Sequence, residues 1–414
     1  MHALPELSKK GWYMEIRARE TDQEQTRLWN KPYILVLLLS TLNQSVTQMV
    51  TPFISKYAIS LGASMAAAAT ISGLMSVAAL FFRPVSGLFS YRYNRKILIT
   101  VTNIVTAICM CLYSVANGVA MLIAVRIIHG IAFSFSSVAM MAFNTMYIPK
   151  ERLAEGMGWM SLGIVVSCAL GPNLGLWLVE NIGFHACFIT AGLGCLLTTV
   201  IILLIPYKHS EKKSTGANRF DINNFISLRI FPYALLTGLF SCGNGLVNTF
   251  LTLLGDERGI RNIGLFFTTY SIVLVCTRPF VGKLQDRKGV KIILYPAYLI
   301  AAASMLLLAN AAGLFMVVLA GVLKAIGEGS GAPAIQAHCM KQLGRDKAGV
   351  VSSTCFIGQD IGNAIAPPIG GVVSSEFGFS TMFTGYAAML VLIGWSMFSI
   401  KFRYDEKKYP EATT

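Results

Sequence analysis

Long apolar runs, each closed by a short polar stretch, dominate the chain from residue 32 onward. They fall near 32–57, 66–89, 97–116, 119–146, 157–179, 186–206, 231–254, 263–285, 292–310, 313–339, 349–374 and 380–401. A helix needs about 20 residues to cross the hydrocarbon layer of a bilayer, and each run is of that order. No water is present there to satisfy backbone N–H and C=O groups, so such runs fold as helices. The pattern predicts an all-α integral membrane protein with twelve transmembrane helices.

The polar breaks repeat. Arg83, Pro84, Gly87, Arg92, Lys96 and Ile97 recur 195 residues later as Arg278, Pro279, Gly282, Arg287, Lys291 and Ile292. Gly163, Pro172 and Gly175 recur at the same offset as Gly358, Pro367 and Gly370. Two signals at one spacing mark a duplicated unit. The expected organisation is a cytoplasmic tail (1–31), a six-helix bundle (32–206), a cytoplasmic linker (207–230), a second bundle (231–402) and a cytoplasmic tail (403–414). Six crossings return the chain to its starting side, so the bundles are pseudo-symmetric about an axis along the membrane normal.

Composition agrees with a membrane protein, since 54% of residues are hydrophobic and only 13% charged. The net charge of +14 raises the question of nucleic acid. No basic patch is interleaved with aromatics on a foldable soluble segment, so a nucleic-acid partner is not expected. With the N-terminus placed in the cytoplasm, only Lys56, Arg258 and Arg261 fall on the outer side, and Arg126 and Lys324 fall within spans. All other bases lie in cytoplasmic segments or at cytoplasmic helix ends, which is the positive-inside pattern. Both termini are therefore expected in the cytoplasm, with the protein in a plasma or inner cell membrane. The polar start of the chain does not read as a cleaved signal peptide, and 11–30 reads as a solvated tail or an interfacial helix. Nine cysteines sit in apolar runs without metal-ligand spacing, so neither metal nor cofactor is expected.

Of the twenty acidic residues, only Glu328 and Asp360 lie well inside spans. With Arg126 and Lys324 they make an intramembrane set that sums to zero. Unpaired, each would cost roughly 2.5–3.5 kcal/mol at a helix centre, so they must face the bundle interior. Lys324 and Glu328 are four apart on one face and can neutralise each other. Asp360 has no partner on its own helix and is the better candidate for proton coupling; water or an approaching Lys324 would release its proton. Polar stripes on equivalent spans, Thr41, Gln44, Gln48 and Thr51 on the first and Ser241, Asn244, Asn248 and Thr252 on the seventh, predict cavity lining. His129 is a possible relay or a satisfied core residue. Gly171, Pro172, Gly175, Pro367 and Gly370 predict bent helices and close helix approach.

The stretch 282–291 reads G-x-L-x-D-R-x-G-x-K through Gly282, Leu284, Asp286, Arg287, Gly289 and Lys291. It resembles the loop signature of the major facilitator superfamily. Arg126 before His129-Gly130 is similar to that family's R-x-x-Q-G element. Gly158, Gly171-Pro172 and Gly175 resemble the motif of its proton-driven exporters, and Pro52 followed by Leu61-Gly62-Ala63-Ser64 resembles its twelve-span drug:proton antiporters. In the first-half loop, Gly87 and Arg92 match, but Tyr91 and Asn94 stand where the family has Asp and Gly. Ser167 and Leu176 likewise replace glycines of the exporter motif. The family's loop Asp faces a helix N-terminus in a cytoplasmic lock, which only Asp286 could supply here.

The resemblance implies proton-coupled export of a small molecule, a drug or metabolite, by alternating access. The expected partners are substrate, protons and lipid bilayer, and a monomer is expected. A symporter that imports a nutrient is the rival reading within the class, and a non-transporting membrane sensor is a second. An intramembrane enzyme built on Ser330 and His129 finds no support, because the nucleophile-elbow, metalloprotease and phosphate-loop patterns are all absent.

Overall fold

The structure is a computed structural model that describes residues 28–149, 152–207, 226–344 and 347–408. The tail reading for 11–30, most of the linker, and residues 409–414 therefore fall outside the described residues. Helices follow one another as α1 (Lys31–Ser60), α2 (Met65–Arg92), α3 (Arg95–Ser114), α4 (Val119–Asn144), α5 (Leu153–Asn181) and α6 (Phe184–Leu204). After the linker come α7 (Phe231–Glu257), α8 (Leu265–Lys288), α9 (Lys291–Ala309) and α10 (Leu314–Leu343). A last helical stretch breaks at Gly378, whose φ of 78° is left-handed, giving α11 (348–377) and α12 (379–408). The fold is an all-α membrane fold of twelve spans in two six-helix bundles. In α8 the apolar part is Leu265–Arg278, and a basic tail carries the helix on to Lys288.

Local chemistry fixes the helix ends. Asn30 caps α1, its Oδ1 accepting the Tyr33 N–H at 2.9 Å, and Ser64 caps α2. Pro52 turns the middle of α1 into a short 3-10 segment, Thr51–Phe53. Asn94 explains one departure in the first-half loop: its Oδ1 accepts the N–H groups of Lys96 and Ile97, at 2.9 and 3.3 Å, and starts α3. Its counterpart in the repeat, Gly289, instead ends α8 with a φ of 78°. One loop uses a cap and the other a glycine.

Small residues bring the repeat helices together in both halves. A Cβ on Gly171 would come 2.6 Å from the Ser45 carbonyl oxygen, and one on Gly175 would collide with the Met49 carbonyl oxygen, both on α1. In the second half, Gly358 and Gly362 of α11 press in the same way on Ala234 and Gly238 of α7. The α1–α5 and α7–α11 seams are thus duplicates of one packing solution. Gly175→Val is expected to destabilise the fold by roughly 1–3 kcal/mol, because the backbone it meets cannot move aside. A lowered unfolding temperature of the purified protein checks this, and an unchanged one contradicts it.

The halves meet along α2–α11 and α5–α8, with the ends of α1 and α7 crossing between them. Hydrogen bonds across this boundary gather on the side away from the linker. Ser55 Oγ donates to the Thr249 carbonyl at 2.6 Å, Thr252 Oγ1 to the Pro52 carbonyl at 2.9 Å, and Asn173 Nδ2 to Thr268 Oγ1 at 2.9 Å. Lys56 and Asp256 add an ion pair at 2.7 Å at the exposed rim. That end is closed.

Candidate functional site

A further link between the halves is an ion pair. Arg83 of α2 donates from Nε to Asp360 Oδ2 at 2.5 Å and from Nη2 to Oδ1 at 3.2 Å, a two-pronged fork. Its third nitrogen, Nη1, donates to Ser137 Oγ of α4 at 2.9 Å. The rings of Phe133 and Phe356 flank the guanidinium at 6.0 and 5.8 Å. The two side chains are only 13% and 9% exposed, so the pair is shielded and strong. Asp360 therefore has a fixed partner from the other half, and it is Arg83 rather than Lys324.

This corrects the tally of charges within the membrane. The apolar pattern ends the second span at 89 and so counts Arg83 with the surface bases. The helix runs on to Arg92, leaving Arg83 about 14 Å inside its end. Arg278 of α8 closes the apolar part of its helix, ten residues before the helix ends at Lys288. Among the described residues, Arg83 and Arg278 join the four charges read within spans, and the six sum to +2 rather than to zero.

A second pair lies within the second half. Lys324 Nζ contacts Glu328 Oε2 one turn along α10 and also donates to Asn244 Oδ1 of α7 at 2.9 Å. The Tyr270 ring lies 5.4 Å from the ammonium. Both charged side chains are almost completely buried, and Glu328 Oε1 has no partner among the described residues. Gly243 makes room for this arrangement: a Cβ there would lie 2.8 Å from the Tyr386 hydroxyl and 3.2 Å from the Glu328 carboxylate. Across the boundary, Gln48 Nε2 of α1 donates to Cys168 Sγ of α5 at 3.3 Å. Val165, Leu274 and Ala325 form an apolar seam between α5, α8 and α10 beside these groups.

The remaining expected site residues separate into four groups. Arg126 and His129 do not join the acids. Arg126 donates to the Ile71 and Ser72 carbonyls of α2 at 3.3 and 3.1 Å, and His129 Nδ1 shares a 3.2 Å hydrogen bond with the Tyr113 hydroxyl. Both are 2% exposed, within the α2–α3–α4 packing of the first half. Thr41 is turned into the α1–α5 seam against Gly163, and its carbonyl accepts Ser167 Oγ at 2.7 Å, so it glues helices rather than lining a cavity. Gln44 and Gln48 of α1 and Asn244 and Asn248 of α7 are half-buried. In the loop motif, Arg92, Gly282 and Arg287 are exposed and Gly87 is half-buried, while the Asp286 side chain is outside the described residues.

Sequence reasoning missed Arg83 and Arg278 as interior charges. The signal was present, because the Arg-Pro pair is the first element of the repeat and precedes the loop by two turns.

A sequence model described as the Major Facilitator Superfamily matches residues 35–261 and 233–414. Among characterised relatives, the multidrug resistance protein MdtG of Enterobacter lignolyticus is 26% identical over 379 residues, covering 88% of this chain and 90% of its own. The multi-drug resistance efflux pump PmrA of Streptococcus pneumoniae is 24% identical over 385 residues, covering 86% and 92%. Among solved structures, the nucleoside transporter NupG superposes with a TM-score of 0.73 at 13% identity over 91% of this chain and 100% of its own. A POT family transporter in complex with 5-aminolevulinic acid gives 0.74 at 15% identity over 94% and 99%. At such identities the superpositions speak for the fold alone.

Proposed function

Because the chain belongs to the Major Facilitator Superfamily, and is thus a multi-pass secondary transporter and not an enzyme, we propose that it exports a small molecule in exchange for protons. The observation that carries this reading is the Arg83–Asp360 fork. It joins the two halves on the linker side of the sealed end and contains an acid that can take a proton. With Asp360 ionised, the pair holds α2 to α11. Protonating it removes the charge attraction, and the halves can part on the linker side. The distribution of bases supports a cytoplasmic position for that side. A protonated carrier therefore opens inward, loses its proton to the cytoplasm, takes up substrate and re-forms the pair as it turns outward. The name of PmrA, a multi-drug resistance efflux pump, supports the export direction over import, and that of MdtG, a multidrug resistance protein, agrees with it.

Lys324, Glu328 and Asn244 serve in this scheme as the polar lining that substrate meets, with Gln48 of α1 and Asn248 of α7 as further lining. Arg126 and His129 act as internal supports that hold α2 against α4, since their hydrogen bonds run within one half.

Everted vesicles holding a proton gradient, read by a pH-sensitive dye, test the exchange. Ethidium, norfloxacin and 1-naphthoate supply a cation, a zwitterion and an anion. Addition of a substrate is expected to dissipate the gradient in vesicles carrying wild type and not in empty ones. Accumulation of the compound without any proton movement would remove proton coupling, and uptake into right-side-out vesicles down the proton gradient would favour the importer.

A further inference from the structure

The repeat assigns a counterpart to each member of the Arg83–Asp360 pair. At the offset of 195 residues, Arg83 of α2 corresponds to Arg278 of α8, and Asp360 of α11 corresponds to Val165 of α5. The structure honours the correspondence: α2 packs on α11, and α8 packs on α5. Leu274, one turn before Arg278 on the same helix face, touches Val165 in the apolar seam between the halves. One interface thus has an arginine and an acid, and its duplicate has the arginine and a valine.

Among the described residues, Arg278 has no carboxylate partner. Its Nε is buried and makes no hydrogen bond among the described residues. Glu328, the acid of the neighbouring α10, is engaged by Lys324. On the helices that pack here, Cys168 of α5 accepts from Gln48, and the Tyr270 ring of α8, two turns before Arg278, lies 5.4 Å from the Lys324 ammonium. A buried guanidinium nitrogen is costly to leave unpartnered, and the planar fork matches a carboxylate in two-pronged fashion. The interior charge of +2 points the same way.

We propose that Arg278 is the anion-recognising residue of the transport site, and that the substrate is an organic anion whose carboxylate fills the position Asp360 occupies in the sister interface. The substrate's charge completes the pair that Val165 cannot form. Its apolar body lies against Val165, Leu274 and the Tyr270 ring. The inference rests on the transporter reading, but it concerns binding and not proton coupling, so the two fail separately.

The test is equilibrium binding to the purified full-length protein, without a gradient, using 1-naphthoate, 1-naphthamide and 1-naphthylmethylammonium. These share a ring system and differ in charge. Wild type is expected to prefer naphthoate over both analogues. Arg278→Gln is expected to weaken naphthoate by at least about tenfold, the scale of losing a charge-assisted hydrogen bond, without weakening the ammonium. Val165→Asp supplies an internal carboxylate and is expected to displace naphthoate to a similar degree, whereas the neutral Val165→Asn retains most of its affinity. Wild type that does not prefer naphthoate, or Arg278→Gln that binds it normally, overturns the proposal. A folded Val165→Asp protein that binds naphthoate as wild type does would overturn the assignment of the vacant position.

Discussion

Asp360→Asn is expected to abolish proton-driven export, lowering transport against a gradient on the order of a hundredfold while leaving a folded protein. The reasoning starts from the shielding of the Arg83–Asp360 pair, whose two side chains are 13% and 9% exposed. Breaking a buried pair by removing one partner costs roughly 3–5 kcal/mol. About 2.8 kcal/mol is already a hundredfold in an equilibrium. In the wild type, protonation of Asp360 relieves that attraction each cycle, so the proton sets the balance between the two arrangements. The amide can still accept from Arg83 but carries no charge and no titrating proton. It therefore fixes the balance at one value whatever the pH. Substrate exchange that needs no gradient should survive, and counterflow in proteoliposomes measures it. Full gradient-driven export by Asp360→Asn would place the coupling acid elsewhere, with Glu328 next in line.

Lys324→Met is expected to be the most destabilising single change in the second half, by roughly 3–5 kcal/mol, because it leaves the Glu328 carboxylate buried with no cation. The Asn244 amide oxygen would lose its donor as well. Adding Glu328→Leu should recover most of the loss, since an apolar pair of similar volume avoids the desolvation of both charges. The recovered protein should nevertheless transport poorly, because the polar lining is gone. Unfolding midpoints of the two variants and wild type decide the first point. A double variant no more stable than Lys324→Met would mean that the pair is held by more than its mutual charge.

The twelve crossings were legible because the bilayer imposes length and hydrophobicity on each helix, and the repeat was legible because both halves reuse the same glycines against α1 and α7. Lys324–Glu328 could be read from a four-residue spacing, since both partners sit on one helix. Arg83–Asp360 could not, because its partners are separated by 277 residues and meet only when the halves pack. Arg83 was misplaced for a related reason: the apolar run stops before the helix does, so hydropathy alone puts the residue at the surface. Arg126 shows the opposite limit. Its depth was clear, but backbone carbonyls of α2, which carry no sequence signature, hold it instead of an acid. Asn94 was a departure in the loop pattern until its role as the cap of α3 explained it.

The central claim is that protonation of Asp360 frees α2 from α11 on the linker side. Spin labels at Tyr93→Cys and Lys347→Cys, exposed positions at the linker-side ends of these two helices, measure that separation directly on a background without native cysteines. The distance is expected to lengthen as pH falls in the wild type, and to stay at one value across the same range in Asp360→Asn. A pH-dependent lengthening that persists in Asp360→Asn, or no lengthening in the wild type, would contradict the claim.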